Sequence, residues 1–223
     1  MTARGGGRRP TVNVYVDGFN LYRQKLEHHP RTKWLDLEAL TRAMLPTHEV
    51  HRIRYFTALI RPIFGSDSQS PVRQRIYIEA LRQNPKVSVH FGQFRVDKRR
   101  MPPYPLSLDD FGNLITIPVR KIEEKGSDVT LASHMLLDAF RRESDLYVLI
   151  SNDSDFAEPL RLLKDELGSD IGIFTPTESL SNTLDACGPL FHKRIRRGTL
   201  EISQLPDELS AGKRTIIRPP AWR

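Results

Sequence analysis

Cysteine is nearly missing from this chain: Cys187 is the single one among 223 residues. That excludes an internal disulfide and a cysteine-rich zinc site. No apolar run approaches the roughly 20 residues that a membrane helix needs, so no membrane partner is expected. The N-terminus, MTARGGGRRP, is basic, yet no apolar stretch of the secretory kind follows it. Cytoplasmic residence is the expectation. Glycine is missing where nucleotide-binding folds need it. The first apolar strand ends in DGFN, GGG at 5–7 precedes that strand, and no P-loop occurs. An aspartyl-nucleophile phosphatase would need a second Asp two residues after Asp17, where Phe19 stands.

What is present fits one soluble domain with a sizeable core: 39% apolar and 27% charged residues. The net charge is +7 and the sequence pI about 9.7. Such a surface attracts polyanions by releasing their counterions, so nucleic acid is the expected partner. Homo-oligomerisation stays open. Residues 1–10, with three glycines and three arginines, read as a flexible basic tail. Residues 11–205 read as the domain, with an insertion at about 97–113 rich in Pro, Asp and basic residues. From Pro206 to 223 the composition turns polar and basic and reads as a loose tail.

The pattern predicts α/β architecture. Val12–Val16 is a buried strand and DGFNLY turns into a helix. Leu35–Leu45 has helical spacing, and Val50–Ile60 is extended. Ser70-Pro71 reads as an N-cap with Pro at N1, opening a helix to about Asn84 with Val72, Ile76 and Ala80 on its stripe. Val87, Val89 and Phe91 alternate as a third strand. Leu114–Glu124 is extended and Ser127–Arg142 helical, with Leu131, Met135 and Ala139 inward. Tyr147–Ile150 is a central strand, Phe156–Leu167 a helix closed by Gly168, Ile171–Phe174 a strand, and Glu178–Ala186 a last helix. Alternating strands and helices indicate a parallel sheet covered on both faces.

Ligands bind beyond the carboxyl ends of such strands. Asp17 directly follows the first strand, Asp153 and Asp155 follow the central strand, and Asp128 begins a helix. Each alone reads as a turn or capping residue. Converging from distant segments, they would repel unless a cation offset the repulsion, and Mg²⁺ or Mn²⁺ prefers oxygen ligands. Asn20 could orient a water or phosphate, or be a plain helix residue. Ser151 and Ser154 could bond phosphate, hold a carboxylate, or only form turns. Lys125 could pair with a phosphate or stay solvated. His134 and Asp138 share a helix face. Arg95, Lys98, Arg99, Arg100, Lys193, Arg194, Arg196 and Arg197 could track a backbone, and Tyr104 could stack a base.

Three stretches carry a family likeness: VYVDGFNLY at 14–22, EEKGSDVTLASHMLLDAF at 123–140 and YVLISNDSDFAEPLRLL at 147–163. In order, spacing and strand context they resemble the NYN domain family, in its LabA/DUF88 branch, within the PIN-like nuclease superfamily. The resemblance covers Thr11 to about Leu205. It implies a parallel sheet with helices on both sides, and metal-dependent RNA cleavage through acids at one sheet edge. It implies that Asp17, Asp128 and Asp153 hold the metal, that Asp155 is the second acid of the final motif, and that Asn20 is the amide of the first. The chain departs at His134, where many members carry an acid. The site then has one carboxylate fewer unless Asp138 or Glu124 reaches in. That leaves room for a module that binds RNA without cutting it.

Overall fold

The computed structural model describes residues 8–60 and 67–223. Strand β1 (Thr11–Asp17) leads into a short helix, α1 (Gly18–Leu21), prolonged by a π-turn. Next come α2 (Leu37–Met44), β2 (Glu49–Thr57), α3 (Ser70–Leu81) and β3 (Val87–Phe91). A hairpin of β4 (Gln93–Met101) and β5 (Ile117–Lys125) precedes α4 (Ser127–Phe140) and β6 (Leu146–Ile150). Then follow α5 (Ala157–Arg161), β7 (Asp170–Thr175), α6 (Asn182–Asp185), β8 (Phe191–Arg194) and α7 (Arg197–Ile202). A second hairpin pairs β9 (Glu208–Ala211) with β10 (Arg214–Ile217).

Six strands form one parallel sheet in the order β3-β2-β1-β6-β7-β8. Both central strands, β1 and β6, are buried at every residue, as expected for strands covered on two faces. Side chains alternate between the faces. Val12, Val14, Val16 and Ile150 join Trp34 and Leu40 on one side. Tyr15 and Leu149 join Leu131, Met135 and Leu163 on the other. The predicted α/β class and the inward residues of α4 are therefore observed. Among the described residues no helix is long and apolar enough to cross a membrane.

Among the described residues one charged side chain lies wholly inside. Asp138 accepts from the Tyr15 hydroxyl at 2.7 Å and from Arg54 Nε and Nη2 at 2.7 and 2.8 Å. Burial works to raise its pKa, but Arg54 and Tyr15 outweigh it and hold the carboxyl below the usual range. The forked guanidinium supplies charge-assisted bonds that only a carboxylate matches.

Several expectations are corrected. Gln69, not Ser70, is the N-cap of α3. Its buried face is Tyr77, Ile78, Ala80 and Leu81, while Val72 is exposed, because the helix turns its aromatic side to the sheet. The insertion is longer than 97–113: nine paired positions join Gln93–Met101 to Ile117–Lys125. α6 is not the last helix, since α7 follows it. Residues 206–223 are folded back rather than loose. Trp222 packs against Trp34 and Tyr77, and Trp34 donates to the Pro206 carbonyl at 2.8 Å. The burial of one late tryptophan outweighs the polar composition around it. The flexible tail read at 1–10 falls, for residues 1–7, outside the described residues.

Two substitutions test this core. Asp138→Asn should lower unfolding free energy by about 3 kcal/mol, because Arg54 loses its buried counter-charge. Trp222→Ala should cost about 3 kcal/mol as a cavity opens beside Trp34, whereas a loose tail would show no change. Denaturant unfolding followed by circular dichroism measures both.

Candidate acidic site

Leaving β1, the chain builds outward on one side through β2 and β3, then returns to the other side as β6, β7 and β8. The carboxyl ends of β1 and β6 therefore flank the switch point of the sheet, where such folds open a crevice. Val16 and Ile150 are in register, so the next residues, Asp17 and Ser151, meet. The buried Ser151 hydroxyl donates to Asp17 Oδ2 at 3.1 Å and accepts from the Asp153 N–H at 3.1 Å. Asp17 Oδ1 accepts from the Asn20 N–H at 3.0 Å, capping α1. The Asn20 side chain in turn accepts from the Asn152 N–H at 3.1 Å. Asn152 anchors the far side: its side-chain Oδ1 accepts from the Ser181 N–H at 2.8 Å. Asp153 Oδ1 accepts from the Asp155 N–H at 3.0 Å. One small network thus fixes both acid-bearing loops.

The third element enters from the hairpin. β5 ends at Lys125, Gly126 turns the chain at φ 93°, and α4 begins. The Ser127 hydroxyl donates to Glu124 Oε2 at 2.6 Å. Gly92 lies at the other foot of the hairpin, and a Cβ there would come within 2.0 Å of Glu124 Oε1. The hairpin root is thus packed onto the acid edge. Phe19 and Phe94 meet edge to face at 5.6 Å, tying α1 to the same root.

The acids feel one another. Asp17 is pushed up to about 6, by burial first and then by Asp128 and Asp153, against the pull of Asn20 and Ser151. Asp128 is also raised, by partial desolvation and by Glu124, Asp153 and Asp155. Among the described residues none of these five acids pairs with a cation; Lys121 and Lys125 are taken by Glu123. A crowd of oxygen donors that lacks counter-charge has the chemistry of a hard divalent-cation site. Each oxygen of Asp17 keeps a lone pair beyond its hydrogen bond. As the side chains stand, no three Asp, Glu, His or Cys residues among the described ones are gathered closely enough to hold a metal ion. The donors are of the oxygen type that such an ion takes, and as placed they do not enclose one.

The structure brings Asp17, Asp128, Asp153 and Asp155 to one edge and separates other candidates from it. Asn20 and Ser151 buttress the loops, and Ser151 is too buried to meet a phosphate. Ser154 and Lys125 are exposed, with Lys125 Nζ 3.4 Å from Glu123. Asp138 lies ten residues along α4 from Asp128, about 15 Å at the helical rise, locked on Arg54. Glu124 is the carboxylate that reaches the edge. His134 faces His90, ring centroids 4.4 Å apart, near Phe56. Burial first, then each other or Arg54, lowers both imidazoles, His90 to about 4. His134 thus packs against His90, and Asp138, which shares its helix face, bonds Arg54 instead. Of the basic residues, Arg95 and Arg99 bond Asp97, Arg194 bonds Glu178, Arg197 bonds Glu201, and Lys193 donates to the Met44 carbonyl. Tyr104 stands fully exposed on the hairpin loop. Asn152 went unnoticed in the sequence, though it sits inside the SNDSD stretch.

Comparisons with known proteins agree with this geometry at the level of fold. The NYN domain family model matches residues 11–193. The chain is 30% identical over 235 residues to the 6-hydroxy-3-succinoylpyridine 3-monooxygenase HspA of Pseudomonas putida (strain DSM 28022 / S16), spanning 95% of this chain and 75% of that protein. It is similar to the crystal structure of a protein of unknown function from Vibrio parahaemolyticus, with a TM-score of 0.57 and 17% identity, covering 91% of this chain and 100% of the other. That likeness shows the fold alone.

The raised pKa of Asp17 gives a signed pH prediction. Its protonated form is favoured in the folded chain, so its stabilising share is present below about pH 4 and is lost as pH rises through about 6. Without divalent metal, Asp17→Asn should melt above the parent at pH 8 and near it at pH 4. Thermal melts in EDTA across that range check this, and an unchanged difference at both ends would contradict it.

Proposed function

The chain belongs to the NYN domain family, and from that premise we propose that it is a metal-dependent nuclease that hydrolyses RNA phosphodiester bonds, within the LabA/DUF88 branch and in the cytoplasm. The observation that supports this reading best is the crowding of Asp17, Asp128 and Asp153 at the switch point of the sheet, with no cation partner among the described residues. Mg²⁺ or Mn²⁺ at these three carboxylates would supply Lewis acidity toward a phosphoryl oxygen and a lowered pKa for water. The residues do the rest. Ser151 and Asn20 hold Asp17 and the 151–153 loop at fixed spacing. Asp155, exposed beside Asp153, orients the attacking water and takes its proton. Glu124 stands in for the carboxylate that the His134 position lacks. Lys125, at the foot of the hairpin, offsets charge on the phosphate. The net charge of +7 draws the polyanion in.

A second reading has its own observation. His134 stands, against Phe56 and His90, where many family members carry an acid, and this supports a module that binds RNA without cutting it. The oxygenation named for the Pseudomonas relative is not carried over, because 30% identity alone fixes no shared reaction.

Cleavage of labelled single-stranded RNA with Mn²⁺ or Mg²⁺, against EDTA and an identically purified Asp153→Asn variant, separates the readings. The nuclease reading expects metal-dependent cutting that falls at least about 100-fold in the variant. RNA bound yet intact with every metal would leave the binding module. Cutting that survives in Asp153→Asn would overturn the assignment of Asp153.

A further inference from the structure

Next to the acids lies a cavity of about 540 Å³, bounded by α1, the β4–β5 hairpin, α3 and Trp222. Small-ligand sites have volumes of roughly 300–1,000 Å³. Gly18 and Phe19, the two residues after Asp17, form its near wall. Tyr22, Tyr55, Tyr77, Phe94 and Trp222 make the lining aromatic. Arg23, Lys33 and Arg120 make it cationic, and Glu27 is its one carboxylate.

The hairpin register explains where the positive charge comes from. Lys98 pairs directly with Arg120, Val96 with Ile122, and Phe94 with Glu124. Alternation places all six on one face, the face whose Phe94, Val96, Arg120 and Ile122 line the cavity. Two like charges directly opposite each other repel. Among the described residues neither Lys98 nor Arg120 has an ion-pair partner. The outer face differs. There Arg95 and Arg99 pair with Asp97, and Lys121 and Lys125 pair with Glu123. On the outer face each of these cations has an acid within ion-pair reach, while Lys98 and Arg120 on the face toward the cavity have none among the described residues. Tyr22 and Val96 also remain exposed there, although burial would favour both.

We propose that this cavity binds a planar aromatic ring carrying an anionic group, the ring against Phe94 and Tyr22 and the anion between Arg120 and Lys98. The source that fits the adjoining acids is a base of the strand being cut, seated one nucleotide from the scissile phosphate; that choice of source rests on the nuclease reading, whereas the cavity's chemistry does not. Aromatic side chains stack on any base face, and a guanidinium grips phosphate with paired donors.

Calorimetric titration of the full chain in EDTA tests this without cleavage. The probes are adenosine 5′-monophosphate, ribose 5-phosphate, nicotinate and a 5′-phosphorylated diribonucleotide. Adenosine 5′-monophosphate should bind about 10-fold tighter than ribose 5-phosphate, and Arg120→Gln and Phe94→Ala should each weaken it about 10-fold. Arg120 is exposed, so its variant should melt with the parent even if Phe94→Ala does not. Tighter binding of the diribonucleotide supports the strand as source. Nicotinate binding above both nucleotides keeps the ring-and-anion chemistry and overturns the nucleic-acid source. Equal binding of ribose 5-phosphate, unaltered binding in Arg120→Gln, or no binding of any probe overturns the proposal. Mononucleotide binding in a chain that cuts no RNA would sink the nuclease reading alone. Cutting by a chain that binds none of the probes would sink the cavity proposal alone.

Discussion

A single hydroxyl stands between the two central strands at the point where the sheet changes direction. Ser151 bonds Asp17 on one loop and the backbone of Asp153 on the other. It can do so because β1 and β6 are buried on both faces and locked in parallel register, which leaves their ends no freedom to slide. The arrangement brings carboxylates together against their own repulsion. The sheet and its cores supply the stability that offsets this, and Asp17 carries a raised pKa, from its burial first and from its acidic neighbours second.

Much of this was legible because strong signals carried it. The apolar runs at Val12–Val16 and Tyr147–Ile150 could only be buried strands, and the acids that follow them, Asp17 at once and Asp153 three residues on, had to lie on one edge of a parallel sheet. The 3.6-residue spacing of Leu131, Met135 and Ala139 likewise gave the inward face of α4. Other parts were hidden for physical reasons. The β4–β5 hairpin carries charges on both faces, so its alternation is one of salt-bridge partners rather than of apolar and polar residues. The role of Ser151 follows from burial, and burial is set by strand register rather than by the serine itself. The segment after Pro206 looked loose because few apolar residues, chiefly Ile216 and Trp222, reach the core from it. Asn152 and Asn20 join loops 132 positions apart, a pairing that no local pattern shows.

His134 lies where α4 meets the sheet rather than the acids. Along α4, successive polar positions reach different environments. Asp128 meets the acids, His134 meets His90 and Phe56, and Asp138 meets Arg54 and Tyr15. His90 and His134 are both disfavoured as cations beside Arg54. A neutral pair there spares the sheet a charge that it could not balance. Glu124, at the foot of the hairpin, sets a carboxylate beside Asp128. The hairpin therefore has two roles at its root: it brings Glu124 next to Asp128 and, through Phe94 and Arg120, walls the neighbouring cavity.

The strand order also has a consequence for how the molecule comes into being. Asp17 and Ser151 are neighbours in space but 134 residues apart in the chain. During synthesis β1 emerges early, pairs with β2, and must wait with its other edge bare until β6 leaves the ribosome. Long-range parallel pairing of this kind is slow and exposes unpaired edges. The acids thus become a group only once β6 has been made and has closed on β1.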